Sequence, residues 1–218
     1  MTLILAIDTS AGTSVALVEN GEVRSEVTVV DQMKHAELIG QVIEDVLAKA
    51  FVRAAQIQHV VVGRGPAPFT GLRVGIAAGV MFSLGIDAKL HGVVSLDAIA
   101  LAALTKEART VDSPLLVTTD ARRKEVYWAT YSRLNEHGVP VRIEGPAVAK
   151  PDDLQVYLTD RNVHPVTTDF SVSAANIAKV FEAQLREGTA SSDVSALYLR
   201  AADAVEPKAR KVPGVNNA

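Results

Sequence analysis

No cysteine occurs among the 218 residues, which excludes disulfides, thiolate metal sites and a cysteine nucleophile. The same absence fits a reducing compartment. An excess of positive charge is missing too: 22 lysines and arginines face 25 aspartates and glutamates, a net charge of −3, with an isoelectric point near 6.0. A protein that grips nucleic acid by itself carries a basic surface, so autonomous binding of that kind is disfavoured. No charged segment precedes the first apolar run, Leu3–Ile7, and that run is too short for the core of a signal peptide. The longest apolar run, Val74–Ile86, falls short of the ~20 residues of a membrane span. These absences predict a cytoplasmic protein without membrane contact. Two catalytic signatures are also missing, the Gly-x-Ser-x-Gly elbow and the His-Glu-x-x-His helix.

The remaining composition is that of an ordinary globular chain, 48% hydrophobic and 22% charged. The length suits one large domain or two small lobes and buries a core without covalent staples. Leu3–Asp8 reads as a buried strand, Ser14–Glu19 as a second, and Glu22–Val30 as a third after the Asn20-Gly21 hairpin signal. A helix over Lys34–Phe51 repeats apolar residues at helical spacing. The strand His59–Val62 then meets the stretch Gly63-Arg64-Gly65-Pro66-Ala67-Pro68-Phe69-Thr70-Gly71-Leu72-Arg73-Val74-Gly75. Its two prolines hold the loop extended until Phe69, and Thr70 is expected to cap the following helix. A P-loop lysine is absent, and Pro68 stands where a dinucleotide fingerprint needs its third glycine. A short strand near Leu90–Val94 leads to a helix over Leu96–Glu107, with Ser95 as its cap.

The pattern then restarts. Leu115–Asp120 is again an apolar strand ending in aspartate, Ala121–Lys124 a turn, Glu125–Arg133 a second strand and Val139–Glu144 a third. Residues 146–170 read as loops with one short helix near Asp152–Leu158, and Ser173–Arg186 as a helix. Strand, aspartate, turn and two more strands, given twice, outline the actin/Hsp70/sugar-kinase superfold.

The loop resembles a known family. Gly65-Pro66 and Phe69–Gly75 match the Gly-Pro-Gly-Ser-Phe-Thr-Gly-Leu-Arg-x-Gly loop of the TsaB (YeaZ) family, with Ala67-Pro68 replacing Gly-Ser. Asp8-Thr9-Ser10, Asp120-Ala121-Arg122-Arg123, Glu125-Val126-Tyr127 and Tyr198-Leu199-Arg200 match further family motifs, so the resemblance covers nearly the whole chain. It implies an α/β, duplicated ASKHA fold. Its lobes would be an N-terminal one over residues 1–108 with partner-binding helices and a smaller C-terminal one over 109–206, followed by a basic tail over 207–218. It also implies a non-catalytic subunit for threonylcarbamoyl transfer to adenosine 37 of tRNAs reading codons that begin with A. Such a subunit pairs with TsaD, which carries the metal and the chemistry, and the small ATPase TsaE joins them. A second copy of the chain is the other implied partner, and tRNA is met only as part of the complex. No cofactor is required by the chain itself; ATP or ADP at a composite site is the candidate ligand. The alternative is a stand-alone small ATPase or kinase of the same superfold.

Asp8, Thr9, Ser10 and Asp120 are the candidate nucleotide or phosphate contacts, because ATPases of this superfold hold phosphate in the first turn and metal between the two aspartates. Against that, Asp8 reads equally as an Asx-turn, and the second turn is bulky and free of glycine. TsaD carries two histidine ligands four apart on the first helix. Here His35 is accompanied by Asp31 and Ile39, which is too few ligands for a metal. Gly71, Gly75, Gly79 and Ser83 form a nearly bare ridge on the glycine helix. It packs on a partner or inside the chain against the first helix, while the column Leu72, Ile76, Val80 and Leu84 is expected to face the sheet. The resemblance makes the first two helices a partner interface, with His35, Leu38, Ile39, Val42, Gly71, Gly75 and Val80 as its candidate residues.

Overall fold

A computed structural model describes residues 2–30, 35–106, 114–161, 163–165 and 171–200. β1 (Leu3–Asp8), β2 (Thr13–Glu19) and β3 (Glu22–Val29) form an antiparallel meander, followed by α1 (His35–Ala50). β4 (His59–Gly63), α2 (Phe69–Ile86) and β5 (Lys89–Val93) add two parallel strands, giving the order β3-β2-β1-β4-β5. α3 (Ser95–Lys106) leads to a second sheet of β6 (Leu115–Asp120), β7 (Val126–Leu134), β8 (Pro140–Ala149) and β9 (His164–Pro165), ordered β8-β7-β6-β9. α4 (Pro151–Arg161) precedes β9, and α5 (Ala174–Glu187) follows it. β6 runs antiparallel to β7 and parallel to β9, as β1 does to β2 and β4. The second sheet thus repeats β3-β2-β1-β4 of the first in order and sense, which is the duplicated α/β unit of the ASKHA superfold.

β1 is apolar at almost every position because both faces of the first sheet are covered. Leu3, Leu5, Ile7, Val15, Leu17 and Val60 point to the α1 side, with Val42, Ile43 and Val46. Ile4, Ala6, Ala16, Val18 and Val61 point the other way, into a core shared with α3, α5, β6 and β7. α5 packs on β1, β2 and β4 of the first sheet and on α3. Residues expected in the C-terminal lobe therefore return to the N-terminal sheet. Tyr131 of β7 and Arg142 of β8 both bond the buried Asp97 of α3, which ties the second sheet to the same core.

Several boundaries differ from the sequence reading. Thr70 lies inside α2, exposed, and does not cap it; the helix starts at Phe69 behind Pro68, which offers no side-chain bond. Ser95 spends its hydroxyl on Asp8 and Gly65 rather than on α3. β8 continues to Ala149, past the expected end at Glu144, because Ala147–Ala149 pair with Val126–Trp128. Pro146 is tolerated there because β8 is an edge strand with an irregular register. α5 matches expectation, with the Ser173 hydroxyl accepting from the Asn176 N–H. The tail over 207–218 lies outside the described residues.

Candidate functional site

Asp8 ends β1 and is buried. Its Oδ1 accepts from the Ser10 N–H at 2.8 Å and the Ser10 hydroxyl at 2.5 Å. Its Oδ2 accepts from the Ser95 hydroxyl at 2.6 Å, and that hydroxyl in turn accepts from the Gly65 N–H at 3.1 Å. The carboxylate is the hub of three connections, joining β1, the β4–α2 loop and α3. A side chain at position 63 has no room, since a Cβ on Gly63 would sit 1.7 Å from Asp8 Oδ2. Both oxygens are engaged by the chain's own donors, so Asp8 forms the Asx-turn.

Thr9 reaches into α2. Its hydroxyl donates to the Gly71 carbonyl at 2.8 Å and accepts from the Gly75 N–H at 3.1 Å. Those two backbone groups are four residues apart and would otherwise pair, so the hydroxyl stands inside the helical ladder. The ridge of small residues is thereby explained from within. A Cβ on Gly75 would lie 2.3 Å from Thr9 Oγ1, and one on Gly79 2.2 Å from Val62 Cγ1. The ridge seats α2 on β4 and the first turn.

That placement turns part of the expected interface inward. Gly75 and Val42 are buried, Leu38 and Ile39 pack partly into the α1 core, and Gly71 and Val80 are half-buried. His35 opens α1, and its side chain lies outside what the structure describes. The column expected to face the sheet splits: Leu72 is buried, while Leu84 is 72% exposed beside Met81 at 69%. Phe51, at the end of α1, is 96% exposed. Sequence reasoning missed Met81, Leu84 and Phe51. A signal existed, because α2 carries apolar residues on every side from Val74 onward, and a helix seated through glycines must turn its large apolar residues elsewhere. By length and composition α2 would also suit a membrane span, yet its ridge lies on the sheet.

Asp120, the counterpart of Asp8, is exposed, accepts from the Arg122 N–H at 2.8 Å and pairs with the Arg122 guanidinium at 3.4 Å. The two aspartates thus sit in unlike surroundings, one enclosed and one solvated. Among the described residues, no group of three or more His, Asp or Glu side chains is placed to hold a metal.

Residues 191–200 run as an extended strap beside these turns. Ser191 O accepts from Gly92, and Arg64 pairs with Asp193 at 2.6 Å and donates to Ser195 O at 2.9 Å. Tyr198 stacks on Phe69 at 4.8 Å between ring centres, and Arg73 lies over Phe69 while donating to the Tyr198 hydroxyl at 2.6 Å. Arg200 reaches the second sheet, donating to Ala121 O and pairing with Glu125. The Tyr-Leu-Arg motif therefore bolts the first turn of α2 to the β6–β7 turn.

A duplicated ASKHA-type fold whose first turn is filled by its own side chains, with an apolar helix face left outward, defines the class. Comparison with known proteins narrows it. The model of TsaD, the tRNA N6-adenosine threonylcarbamoyltransferase, matches residues 23–210. Chains named tRNA threonylcarbamoyladenosine biosynthesis protein TsaB are similar; that of Escherichia coli is 36% identical over 150 residues, covering 68% of this chain and 63% of that one. An uncharacterized Mycobacterium leprae protein is 40% identical over 159 residues, 71% of this chain and 40% of its own length. The chain thus spans less than two thirds of the length of either relative. The solved YeaZ of Pseudomonas aeruginosa superposes with a TM-score of 0.75 at 22% identity, covering 91% of this chain and all of that one. The chain belongs to the TsaD family of these comparisons, on its TsaB (YeaZ) side.

Proposed function

We propose that this chain is a non-catalytic subunit in the synthesis of threonylcarbamoyladenosine in tRNA, and that it binds and activates a TsaD-type catalytic subunit together with a TsaE-type ATPase. The observation that supports this most is the outer face of α2, where Met81 and Leu84 stand exposed on a helix already anchored behind. Such a face favours a protein partner over water. The engagement of both Asp8 oxygens by the chain's own donors argues in the same direction, away from a phosphate or metal role for that carboxylate. Nucleotide, where it enters, is assigned to a composite site completed by the partners, and the work is assigned to a cytoplasmic complex.

Depletion of this protein followed by nucleoside mass spectrometry of bulk tRNA tests the reading. A fall in threonylcarbamoyladenosine, restored by wild type and not by Met81→Glu/Leu84→Glu, is expected. An unchanged level after confirmed depletion overturns the reading. ATP turnover by the pure chain, lost on Asp8→Asn, would put the stand-alone ATPase first.

A further inference from the structure

Besides seating Arg200, the β6–β7 turn has an unusual backbone. Arg122, Arg123 and Lys124 have φ of 63°, 52° and 61°. Three successive residues with a Cβ in the left-handed region adopt a backbone that glycine or asparagine takes at lower cost. All three side chains are exposed, and Arg122 also pairs with Asp120. Arg200 of the strap brings a further guanidinium to this turn, held by Ala121 O and Glu125. Four cations thus meet two carboxylates at one place on a chain of net charge −3. Strain kept at an exposed turn points to a use for the side chains, since the turn itself would be better served by glycine.

We infer that this turn is a docking point for the phosphodiester backbone of RNA. The inference rests on the function proposed above, which supplies tRNA as the RNA at hand. Guanidinium forks match phosphate oxygens two at a time, and a lysine adds a compact charge. Contacts of this kind position an RNA without reading its sequence. The acidic remainder of the molecule makes the turn one contributor to a shared surface, not a complete grip.

The test uses the full chain, alone and with its catalytic partner, and fluorescently labelled bulk tRNA. Arg123→Gly and Lys124→Gly, singly and together, remove charge while relieving the backbone. The expected result is a Tm unchanged or raised, with tRNA affinity of the double variant weaker by about tenfold at ~0.1 M salt. The slope of log affinity against log salt becomes shallower by about two. A double variant that binds tRNA like wild type overturns the inference, as does a wild type that binds none in either form. A fall in Tm makes the turn structural, and displacement of tRNA by micromolar ATP makes it a nucleotide site; both overturn it. The two proposals fail separately. Unchanged threonylcarbamoyladenosine after depletion removes the function whatever the turn binds, whereas normal tRNA binding and full complementation by the double variant remove only the turn.

Discussion

Thr9 shows how one hydroxyl fixes a neighbourhood. It replaces a helical hydrogen bond with two of its own, so Thr9→Val is expected to cost about 1–2 kcal/mol, read by urea denaturation. Gly75→Ala gains helix propensity but drives a methyl to 2.3 Å from Thr9 Oγ1; overpacking of that kind costs about 1–3 kcal/mol. Thr9→Ala should return part of the loss, and additive single effects in the double-mutant cycle would refute the contact as cause. A second residue-scale prediction concerns His59 and His91, whose ring nitrogens lie 3.1 Å apart against Phe181. Burial first, then charge, from Lys89 for His59 and from His59 and Lys89 for His91, lowers both pKa values. The unfolded chain therefore binds protons that the folded one resists. Stability is fully present above the unfolded value of about 6.5 and is lost as pH falls below it toward the lowered folded values. Tm should drop between pH 7.5 and 5, and His91→Gln should flatten that drop. None of this was legible in the sequence, because Thr9 and Gly75 lie far apart in it and no local pattern announces their meeting. The Asp8 turn was half-legible: Asp-Thr-Ser signals an Asx-turn, while the capture of Oδ2 by Ser95 depends on the fold.

Among the elements, α2 holds the clearest lesson. Its ridge was visible in the order Gly71, Gly75, Gly79, Ser83, but which way it faced was not. Periodicity gives the columns of a helix and not their direction, and small residues suit a sheet as well as another helix. Gly75→Leu is consequently a poor probe of partner binding, since it would unseat the helix. Met81→Glu and Leu84→Glu are the proper probes. Each should leave stability within about 0.5 kcal/mol, as surface changes do, while weakening association with the proposed TsaD-type partner in size-exclusion or calorimetric binding. Retention of full affinity by the pair would move the interface elsewhere. The strands were legible almost to the residue where turn signals bound them, as at Asn20-Gly21. β8 was not, because Gly145-Pro146 resembles a terminator unless the edge position of the strand is known.

Across the whole molecule, Asp97, Tyr131 and Arg142 join the second sheet to α3. Burial and the neighbouring Asp97 charge push the Tyr131 hydroxyl well above its ordinary range; burial opposes the Arg142 charge, but Asp97 outweighs it. Asp97→Ala leaves a guanidinium and a phenol facing a void and is expected to cost about 3 kcal/mol in denaturation; a loss under 0.5 kcal/mol would show the tie to be ornamental. The repeat of the two sheets was legible from two strands ending in aspartate. The return of α5 to the first sheet was not, because an amphipathic helix does not state which sheet it will cover. That return has a consequence for the newborn protein. The first sheet is complete once Val93 has been made, yet the face of Ile4, Ala6, Ala16 and Val18 waits for Phe181 and its neighbours. At ~5–20 residues per second, the ribosome leaves that face bare for roughly 5–20 s. A nascent chain of this design is a client for chaperones throughout that interval, and a stall within it would release an aggregation-prone half-molecule.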